Sequence, residues 1–376
     1  MENFELIASA TFGLEAVVKR EIEALGYEIT DSRDGRLTYK GDERAIVRSN
    51  LWLRSADRVY VKIAEFEARS FEQLFNKTTV LEWESWIPED GKFTVVGSSM
   101  KSDLHSVPDC QAIIKKAVVK RLASVYKTEW FKETGAEYTI RFMFQKNTVT
   151  LMIDTSGEGL HKRGYRVKNV AAPIKETLGS ALIALSFFKP GRLMVDPFCG
   201  SGTLAIEAAM QARNIAPGLS RTFASQNWER IGKDVWAEEK KAAYNAIDYD
   251  ADVRILASDI DPKAIAAAKE NAIEAGVEDC IEFSVLDARK LEAHEEYGII
   301  ISNPPYGQRI GEQEELDKLY ASLKRFMKTN PTWSMFIITA DKTFEEKMPR
   351  KADRRRKLYN GRLETCYYQY HGEKRR

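Results

Sequence analysis

Short apolar segments alternate with helical patterns through residues 192–340, and this alternation constrains the fold more than any other feature. The apolar segments predict buried strands over 192–196, 253–259, 281–287, 297–303 and 333–340. The helical patterns between them cover 203–214, 233–247, 262–276 and 314–328. Such alternation predicts an α/β domain with a mainly parallel, doubly wound sheet.

The end of the chain predicts a different kind of strand pairing. Residues 354–371 carry strand patterns on both sides of Asn360-Gly361, a dipeptide favoured in tight hairpin turns. A closing antiparallel hairpin is an addition that nucleotide-binding dehydrogenases usually lack. Added to the five parallel strands, it predicts a seven-stranded, Rossmann-like sheet.

The first half of the chain mixes short strands and helices. Helical patterns cover 11–26, 43–56, 71–83 and 108–127, and strand patterns cover 36–41 and 92–100. Residues 138–156 alternate apolar and polar positions around Lys146-Asn147 and predict a hairpin. Residues 157–173 are basic, contain glycines and lack periodicity, so we interpret them as a linker.

Length, termini and cysteines exclude several classes of protein. A chain of 376 residues is long for a single core, so more than one domain is expected. The N-terminus lacks the pattern of a signal peptide, and no apolar run reaches the ~20 residues of a membrane span. The four cysteines are far apart in sequence, which favours neither a disulfide framework nor a zinc site. We therefore expect a cytoplasmic protein that needs no metal and no membrane.

Positive charge is concentrated although the net charge is only +1. Residues 160–175 contain five Lys or Arg and no acid, and residues 342–376 contain twelve Lys or Arg against five acids. Clusters of this kind can bind phosphates, although a lone basic run is often only a solvated edge. The candidate RNA contacts are Lys115, Lys116, His161, Lys162, Arg163, Arg166 and Lys168.

A glycine-rich turn follows the strand pattern of 192–196, in the sequence DPFCGSGT. Gly200 and Gly202 let the backbone approach a ligand closely, and the helix that begins near Thr203 offers free N–H groups to an anion. Neither the GxxxxGK[ST] spacing nor the GxGxxG spacing is present, so a phosphate loop is a poor match. We expect the turn to hold a methionine carboxylate and Asp196 to hold the cationic amino group.

Acidic residues end the next two strand patterns. Asp259 in SDIDP suits the two hydroxyls of a ribose, and Ile260 beside it can pack on adenine. Asp287 in LDAR can accept from the adenine amino group while the Ala288 N–H donates to the ring. A single strand-end aspartate is often only a helix cap. Asp196, Asp259 and Asp287 end three successive strand patterns. Together with the glycine turn they predict one adenosine site at the carboxyl edge of the sheet.

The sharpest motif is NPPYG, which begins at Asn303 and ends the fourth strand pattern. An exocyclic aromatic amine is a weak nucleophile because its lone pair is delocalised into the ring. If the Asn303 side-chain oxygen and the Pro304 carbonyl accept its two N–H bonds, the nitrogen can pyramidalise toward a methyl donor. Tyr306 can stack on an extruded base with its ring face, so Tyr306→Phe should be nearly neutral. The alternative is a surface Pro-Pro turn.

The four motifs together resemble class I S-adenosylmethionine-dependent methyltransferases that modify amino groups, over residues 192–307. The whole chain resembles a narrower family, the bacterial THUMP-domain methyltransferases that modify guanine N2 in 23S rRNA. The phrases LHKRGYR (160–166), APIKET (172–177) and NPPYGQRIG (303–311) carry this resemblance. It implies S-adenosylmethionine as the cofactor and 23S rRNA, or a ribosomal precursor particle, as the partner.

The resemblance also implies a domain order and a set of site residues. The modules would be ferredoxin-like (1–55), THUMP (56–158), a linker (159–172) and the catalytic domain (173–376). Because the chain ends after one catalytic domain, we expect one modification. The implied catalytic residues are Asn303, Pro304 and Tyr306. The implied cofactor residues are Pro173, Thr177, Asp196, Phe198, Gly200, Gly202, Thr203, Asp259, Ile260, Asp287, Ala288 and Asn303.

Three other functions remain open at this point. A tRNA guanine-N2 methyltransferase could share the whole architecture. An adenine-N6 methyltransferase acting on DNA or RNA could share NPPY, since it also methylates an exocyclic amine. An RNA-binding ribosome-assembly factor with a degenerate cofactor site is disfavoured by the intact motif acids. No obligate protein partner is evident from the sequence.

Overall fold

The computed structural model describes residues 3–168, 173–306 and 312–374, with backbone only at 312–313. Parts of two sequence predictions lie outside these residues. They are the end of the linker, with Ala172 of APIKET, and the GQRIG portion of NPPYGQRIG. The described residues form two seven-stranded sheets, one in each half of the chain.

The first sheet belongs to the N-terminal half and has the strand order β2-β3-β1-β4-β7-β6-β5. Its strands are β1 (Phe4–Ala10), β2 (Ile29–Arg33), β3 (Arg36–Gly41), β4 (Ala56–Glu67), β5 (Lys92–Met100), β6 (Glu137–Gln145) and β7 (Thr148–Asp154). Its helices are α1 (Glu15–Ala24), α2 (Glu43–Trp52), α3 (Phe71–Thr79) and α4 (Val107–Tyr126). Only the β5–β6 pair is parallel among the strand pairs of this sheet in the described chain.

Strand β4 joins the two parts of this half. It pairs antiparallel with β1 on one edge and with β7 on the other, so a single sheet runs through both predicted N-terminal modules. The sequence patterns predicted none of β1, β2 and β4. The reason is visible in β4, where burial is irregular along the strand and no clean two-residue period results.

The second sheet has the order β10-β9-β8-β11-β12-β14-β13 and confirms the predicted seven strands. Its strands are β8 (Met194–Asp196), β9 (Ile255–Asp259), β10 (Ile281–Val285), β11 (Ile299–Ser302), β12 (Ser334–Thr339), β13 (Arg354–Asn360) and β14 (Leu363–Tyr370). Its helices are α5 (Glu176–Ala184), α6 (Thr203–Ala212), α7 (Lys233–Asn245), α8 (Pro262–Glu274), α9 (Glu312–Thr329) and α10 (Phe344–Lys347). The first five strands in that order are parallel, and β13 and β14 form the closing antiparallel hairpin.

Helix starts follow local chemistry at three described positions. Asp42 accepts the Ala45 N–H at 2.9 Å before α2, and Ser70 accepts the Gln73 N–H at 3.2 Å before α3. Asp261 caps α8, and the first residue of this helix is Pro262. Proline suits that position because the first N–H groups of a helix have no partner within the helix, and proline has no N–H. Helix α8 thus begins at Pro262, three residues after β9 ends at Asp259.

The two halves of the chain share a hydrophobic core. Phe223, Trp228 and Trp236, from the segment between α6 and the end of α7, are buried among residues of the N-terminal sheet. Trp228 stacks on Tyr138 with ring centroids 4.8 Å apart, and its indole N–H donates to the Glu137 carbonyl at 3.1 Å. This segment therefore binds the second half of the chain to the first.

Charged contacts reinforce that junction. Glu239 of α7 is buried and accepts from Arg48 of α2 at 2.8 Å, and it also pairs with Arg44.

Among the described residues, no helix combines the length and apolar character needed to cross a membrane.

Candidate active site

The strand-end motifs meet at one edge of the second sheet. Strands β10, β9, β8 and β11 are adjacent and parallel, so the residues that follow them lie side by side. A cavity of about 670 Å³ opens there. Of the predicted site residues, it is lined by Pro173, Asp196, Phe198, Gly200, Thr203, Asp259, Ile260, Asp287, Ala288, Asn303, Pro304 and Tyr306. Residues up to 133 positions apart in sequence, Pro173 and Tyr306, are thus brought together.

The glycine turn is shaped by its backbone. Gly200 and Gly202 have φ of +52° and +86°, in the left-handed region that favours glycine. A Cβ on Gly202 would lie 3.1 Å from the Cβ of Ala268, so this residue lets α6 and α8 approach each other. Gly202 itself does not line the cavity. Its observed role is to shape the turn, and the direct cofactor contact stays a prediction.

Asp196 at the end of β8 is a buried carboxyl, 1% exposed. It accepts hydrogen bonds from the Ser302 hydroxyl and, at 3.2 Å, from the Phe198 N–H. No Lys, Arg or His in the described chain forms an ion pair with it. Burial and the neighbouring charge of Asp259 raise the pKa of Asp196 to about 7, against partial lowering by its two hydrogen bonds.

Asp259 at the end of β9 ties the second strand to the glycine turn. Its Oδ2 accepts the Gly200 N–H at 3.0 Å and its Oδ1 accepts the Asp261 N–H at 3.0 Å. Next to it, Ile260 lies on the cavity wall with 63% of its surface exposed. An exposed isoleucine beside an oriented carboxylate offers an apolar face next to a hydrogen-bond acceptor.

Asp287 is engaged by a neighbour that the sequence analysis did not consider. The Arg289 guanidinium donates to it at 2.6–3.0 Å, and the Arg289 N–H donates at 2.9 Å. The hydrogen bond from Arg289 lowers the pKa of Asp287. Arg289 also contacts Glu315 of α9 at 3.0 Å, so it closes one side of the cavity.

The NPPY motif lines the same cavity as the acids. Tyr306 donates its hydroxyl to Oδ1 of Asn303 at 2.6 Å, and the side chain of Asn360, at the tip of the β13–β14 hairpin, lies near the same hydroxyl. Burial raises the pKa of Tyr306. Pro304 is buried and Pro305 is exposed. The tip of the closing hairpin therefore lies beside the motif, which no local pattern in the sequence predicted.

Arg166 was predicted to contact RNA, and the structure corrects this. Its guanidinium is directed into the protein, where it donates to Glu176 at 2.7 Å, Ser201 at 2.9 Å and Thr203 at 2.8 Å. It therefore links the basic segment to the glycine turn and to the start of α5. Its charge is neutralised by Glu176, so it is a positioning residue for the cavity wall.

Arg163 is also corrected as a phosphate contact. It is 3% exposed, faces Glu207 at 3.4 Å and donates to the Leu160 carbonyl at 2.7 Å and to the Arg54 carbonyl. Glu207 is itself buried and accepts from Tyr165 at 3.1 Å. An arginine enclosed in this way is part of the core network and is not accessible to a phosphate.

The other candidate RNA residues lie at the surface or near it. Lys115 and Lys116 are exposed on α4, with their ammonium groups 5.9 Å and 6.0 Å from the Phe93 and Phe75 ring centroids. Lys162 is exposed, and Lys168 is exposed and faces Glu270 at 3.5 Å.

His161 is half-buried, and its pKa is lowered to about 4 by burial and by nearby cations, so it is neutral at neutral pH. RNA contact by His161 and by the exposed lysines 115, 116, 162 and 168 stays a prediction.

Two further residues depart from expectation or were missed. Thr177 is 2% exposed, lies near the Asp57 carboxyl of the N-terminal half and does not line the cavity, which argues against the expected contact with a cofactor. Asn271 of α8 was not predicted, yet its side chain accepts the Val167 N–H at 3.0 Å and donates to the Ser201 carbonyl at 3.0 Å. Asn271 lies within a helical pattern, where no sequence signal marks it.

The cavity fits S-adenosylmethionine on several grounds. Its volume lies in the range of about 300–1,000 Å³ typical of small-molecule sites. A buried carboxyl without a cationic partner, Asp196, suits the amino group of the methionine portion. Asp259 and Ile260 offer an acceptor and an apolar face for the adenosine. Among the described residues, no group of three or more His, Cys, Asp or Glu is arranged to hold a metal.

Family descriptions match three consecutive parts of the chain. Residues 5–60 match the RlmL ferredoxin-like domain, residues 68–154 match the THUMP domain, and residues 163–369 match the RMKL-like methyltransferase domain. The last match covers more than half of the chain.

Similar proteins carry methyltransferase names. YpsC of Bacillus subtilis strain 168, a candidate RNA methyltransferase, is 48% identical over 98% of this chain and 96% of its own length. The ribosomal RNA large subunit methyltransferase K/L of Shewanella baltica OS155 is 33% identical over 98% of this chain. The chain spans 53% of the length of that enzyme.

Several solved structures are similar to this chain in both fold and sequence. A candidate methylase from Clostridium difficile 630 superposes with a TM-score of 0.97 at 46% identity and full coverage of both chains. A Listeria monocytogenes protein is described as a predicted N6-adenine-specific DNA methylase. Its structure has a TM-score of 0.95 at 45% identity, and the match covers 99% of this chain and 97% of the Listeria chain.

A third structure, SMU.472, is a candidate methyltransferase in complex with SAH, the demethylated product of the methyl donor. It has a TM-score of 0.95 at 40% identity over the full length of both chains. The family matches, the K/L relative and this complex agree with the four motifs gathered at the cavity. The chain belongs to the THUMP-containing, RMKL-like family of RNA methyltransferases, which use S-adenosylmethionine as the methyl donor.

Proposed function

We propose that the protein methylates the exocyclic N2 of a guanine in 23S rRNA. The observation that carries this proposal is the position of Asn303 and Tyr306 on the wall of the same cavity as the strand-end acids. An amine held at Asn303 would face a methyl donor held at Asp196 and Asp259. The choice of 23S rRNA is supported by the name of the K/L relative, of which this chain spans about half.

The amine-holding step depends on Asn303. Its Oδ1 accepts one hydrogen bond from Tyr306 and has a second lone pair for an N–H of the target amine. The Pro304 carbonyl would accept the other N–H. When both N–H bonds are held, the nitrogen lone pair is freed from the ring and oriented, and the methylated nitrogen later releases one proton. Positioning of this kind supplies much of the catalysis, without a metal or a strong base.

The cofactor-binding roles follow the geometry of the cavity. S-adenosylmethionine supplies an electrophilic methyl group on its sulfonium. We assign Asp196 to the amino group, the turn from Phe198 to Thr203 to the carboxylate, and Asp259 to the ribose. Ile260, Asp287 and Ala288 would contact the adenine, and Pro173 would lie against the methionine portion. Because Asp287 is paired with Arg289, its acceptor capacity for adenine is shared.

The N-terminal half is proposed to present the RNA. We retain the division into residues 1–55, 56–158, 159–172 and 173–376, with THUMP and the exposed lysines Lys115, Lys116, Lys162 and Lys168 as the RNA-facing part. The proposed partner is 23S rRNA or a ribosomal precursor particle, the proposed location is the cytoplasm, and no obligate protein partner is invoked.

Two alternatives share this site. An adenine-N6 activity is favoured by the description of the Listeria structure, because NPPY would hold an adenine amine equally well. A tRNA guanine would use the same contacts as an rRNA guanine. The THUMP match favours RNA over DNA as the substrate of an adenine-N6 activity. Only identification of the substrate distinguishes a tRNA guanine from an rRNA guanine.

The test compares nucleic acids from a deletion strain and its parent by nucleoside mass spectrometry. Loss of N2-methylguanosine from one position of 23S rRNA, and its restoration by the purified protein with S-adenosylmethionine, would support the proposal. Loss of the same nucleoside only from tRNA, or of N6-methyladenine from DNA or RNA, would replace it with the corresponding alternative. Complementation with Asn303→Ala is the control for an indirect effect.

A further inference from the structure

A second cavity of about 810 Å³ adjoins the first. It lies between residues 158–166 and the loop 219–222, and it shares Pro173 and Ile174 with the proposed active site. The two cavities are therefore neighbours that share this short segment. Nothing in the proposed chemistry of base and cofactor uses this second space.

Its lining is rich in positive charge. It includes Lys162, Arg163, Arg166, Lys175 and Arg221, against the carboxylates Glu158 and Glu176. The charges of Arg163 and Arg166 are balanced by Glu207 and Glu176.

The other three cations, Lys162, Lys175 and Arg221, have no ion-pair partner within 4.0 Å among the described residues. Asp57 lies near Lys175, but its carboxylate bonds the Thr11 hydroxyl at 3.2 Å and forms no ion pair with the lysine. The cavity therefore has excess positive charge.

Arg221 is held in place without a carboxylate. Its guanidinium donates to the Gly159 carbonyl at 2.7 Å and to the Glu158 carbonyl at 2.8 Å, and it lies 4.8 Å from the centroid of the Phe223 ring. Carbonyl partners fix its position and no carboxylate forms an ion pair with it among the described residues, although the charges of Glu158 and Asp154 are near enough to act on it. An arginine fixed in this way adds a preorganised positive charge to the cavity wall.

The two sides of the cavity come close together at Gly164. Gly164 has φ of +103°, and a Cβ at this position would lie 2.9 Å from the Ser220 carbonyl oxygen. A residue with a side chain would push the two walls apart. His161 between them is neutral, because burial and the charges of Lys175, Lys162, Arg163 and Arg221 lower its pKa. A neutral imidazole among cations can donate one hydrogen bond to an anion without adding further repulsion.

We propose that this cavity binds a backbone phosphate of the RNA next to the target nucleotide, with Lys162 and Lys175 as direct contacts and Arg221 as fixed charge. The inference rests on the proposed function only in that the substrate is RNA; it does not depend on which base is methylated. A phosphate held here would lie one segment away from NPPY, across Pro173 and Ile174. It would fix the distance between the RNA backbone and the extruded base.

The test measures RNA binding by the full chain as a function of salt. Lys162→Ala and Lys175→Ala should each reduce the slope of log affinity against log salt by about 0.7–0.9, and the double variant by about twice that amount. Lys241→Ala, an exposed lysine of α7 outside the cavity, is the matched control and should keep the wild-type slope. SAH affinity should be unchanged in all of them, which separates lost phosphate contacts from a damaged active site.

A second measurement separates an RNA phosphate from a free anion. Inorganic phosphate is titrated into the protein while the ring resonances of its four histidines are followed by NMR. Movement of the His161 signal in the wild type and not in the double variant, together with the reduced salt slopes, supports the proposal.

Two results would overturn it. Unchanged salt slopes in both lysine variants would remove the RNA contact. Saturation by inorganic phosphate with unchanged slopes would assign the cavity to a small anion instead. If the slopes fall while mass spectrometry finds a base other than guanine, the phosphate site stands and only the proposed base changes.

Discussion

The phenol of Tyr306 donates a 2.6 Å hydrogen bond to Oδ1 of Asn303, the atom proposed to accept from the target amine. The same phenol lies near the side chain of Asn360 at the tip of the closing hairpin. We therefore propose two functions for Tyr306 within one motif: its ring would stack on the base, and its hydroxyl would orient the amide of Asn303. The second function changes what substitutions at the motif should do.

Asn303→Ala should lower the rate of methyl transfer by about a hundredfold or more, because a positioned hydrogen-bond acceptor is lost in the transition state. Asn303→Asp should retain more activity, since a carboxylate still accepts. Cofactor affinity should change little in either variant. Single-turnover methylation at saturating cofactor measures the rate, and calorimetry measures the affinity. A near-normal rate in the alanine variant would reduce NPPY to a structural turn.

Tyr306→Phe should slow the reaction roughly two- to tenfold, since the lost hydrogen bond contributes about 0.5–1.5 kcal/mol. This replaces the nearly neutral effect expected from the sequence. In an Asn303→Ala background the same change should have almost no effect, because the amide it orients is gone. Tyr306→Ala should cost more, by a further ~1–3 kcal/mol of base stacking. Equal effects of Tyr306→Phe in both backgrounds would disprove the orienting function.

Asp259→Ala should weaken S-adenosylmethionine binding by roughly tenfold or more, because hydrogen bonds to a charged acceptor are worth about 1.5–3 kcal/mol. The proposed ribose acceptor is lost, and the Gly200 N–H loses the partner that holds the turn. Asp261→Ala is the control, since Asp261 caps α8 by accepting the Lys263 N–H at 2.9 Å. That variant should lose stability and keep its affinity. Calorimetry with unchanged affinity in Asp259→Ala would contradict the ribose assignment.

The buried carboxyl of Asp196 should make the ligand-free protein sensitive to pH. Its pKa is raised from 3.8 to about 7, mainly by burial, so the folded state binds a proton that the unfolded state releases. Its contribution to the free energy of unfolding is therefore present below about pH 4 and is lost as the pH rises to about 7. Denaturant titrations across this range should show the decline in the wild type and a flatter profile in Asp196→Asn.

The same carboxyl predicts proton release on cofactor binding. A cationic amino group next to Asp196 would favour its ionised form and lower its pKa, so binding near pH 7 should release part of a proton. Calorimetry in two buffers with different ionisation enthalpies measures this release. Asp196→Asn should show none. Equal proton release in the two proteins would place the amino group elsewhere.

A fragment covering residues 173–376 should be much less stable than the full chain. It would expose Phe223, Trp228 and Trp236, which are buried against the N-terminal sheet. We expect binding of a hydrophobic dye, a lower melting temperature and weakened cofactor affinity, although every cofactor motif is present. In the full chain, Trp228→Ala should cost about 3–5 kcal/mol. A monomeric fragment with wild-type affinity would show that the halves fold independently.

Much of the second sheet could be predicted because its signals are local. The expected segments 192–196, 253–259 and 281–287 contain β8, β9 and β10, and Asn360-Gly361 does form the hairpin turn. Parallel strands buried on both faces must be apolar whatever surrounds them. The first sheet was less predictable. Its strands are partly exposed. The helix predicted over 43–56 ends four residues earlier, at Trp52, because the backbone becomes extended at Leu53 before β4.

The sequence by itself determined the kind of site, because residues that follow adjacent parallel strands must meet at one edge of a sheet. It did not determine which basic residues are free. Arg163 and Lys162 are neighbours in the chain, yet one is enclosed against Glu207 and the other is exposed. That difference depends on a carboxylate 44 residues away. Likewise Tyr306 meets Asn360 only when the hairpin closes the sheet. Such pairings are decided by tertiary contacts, because burial and charge balance depend on residues distant in sequence.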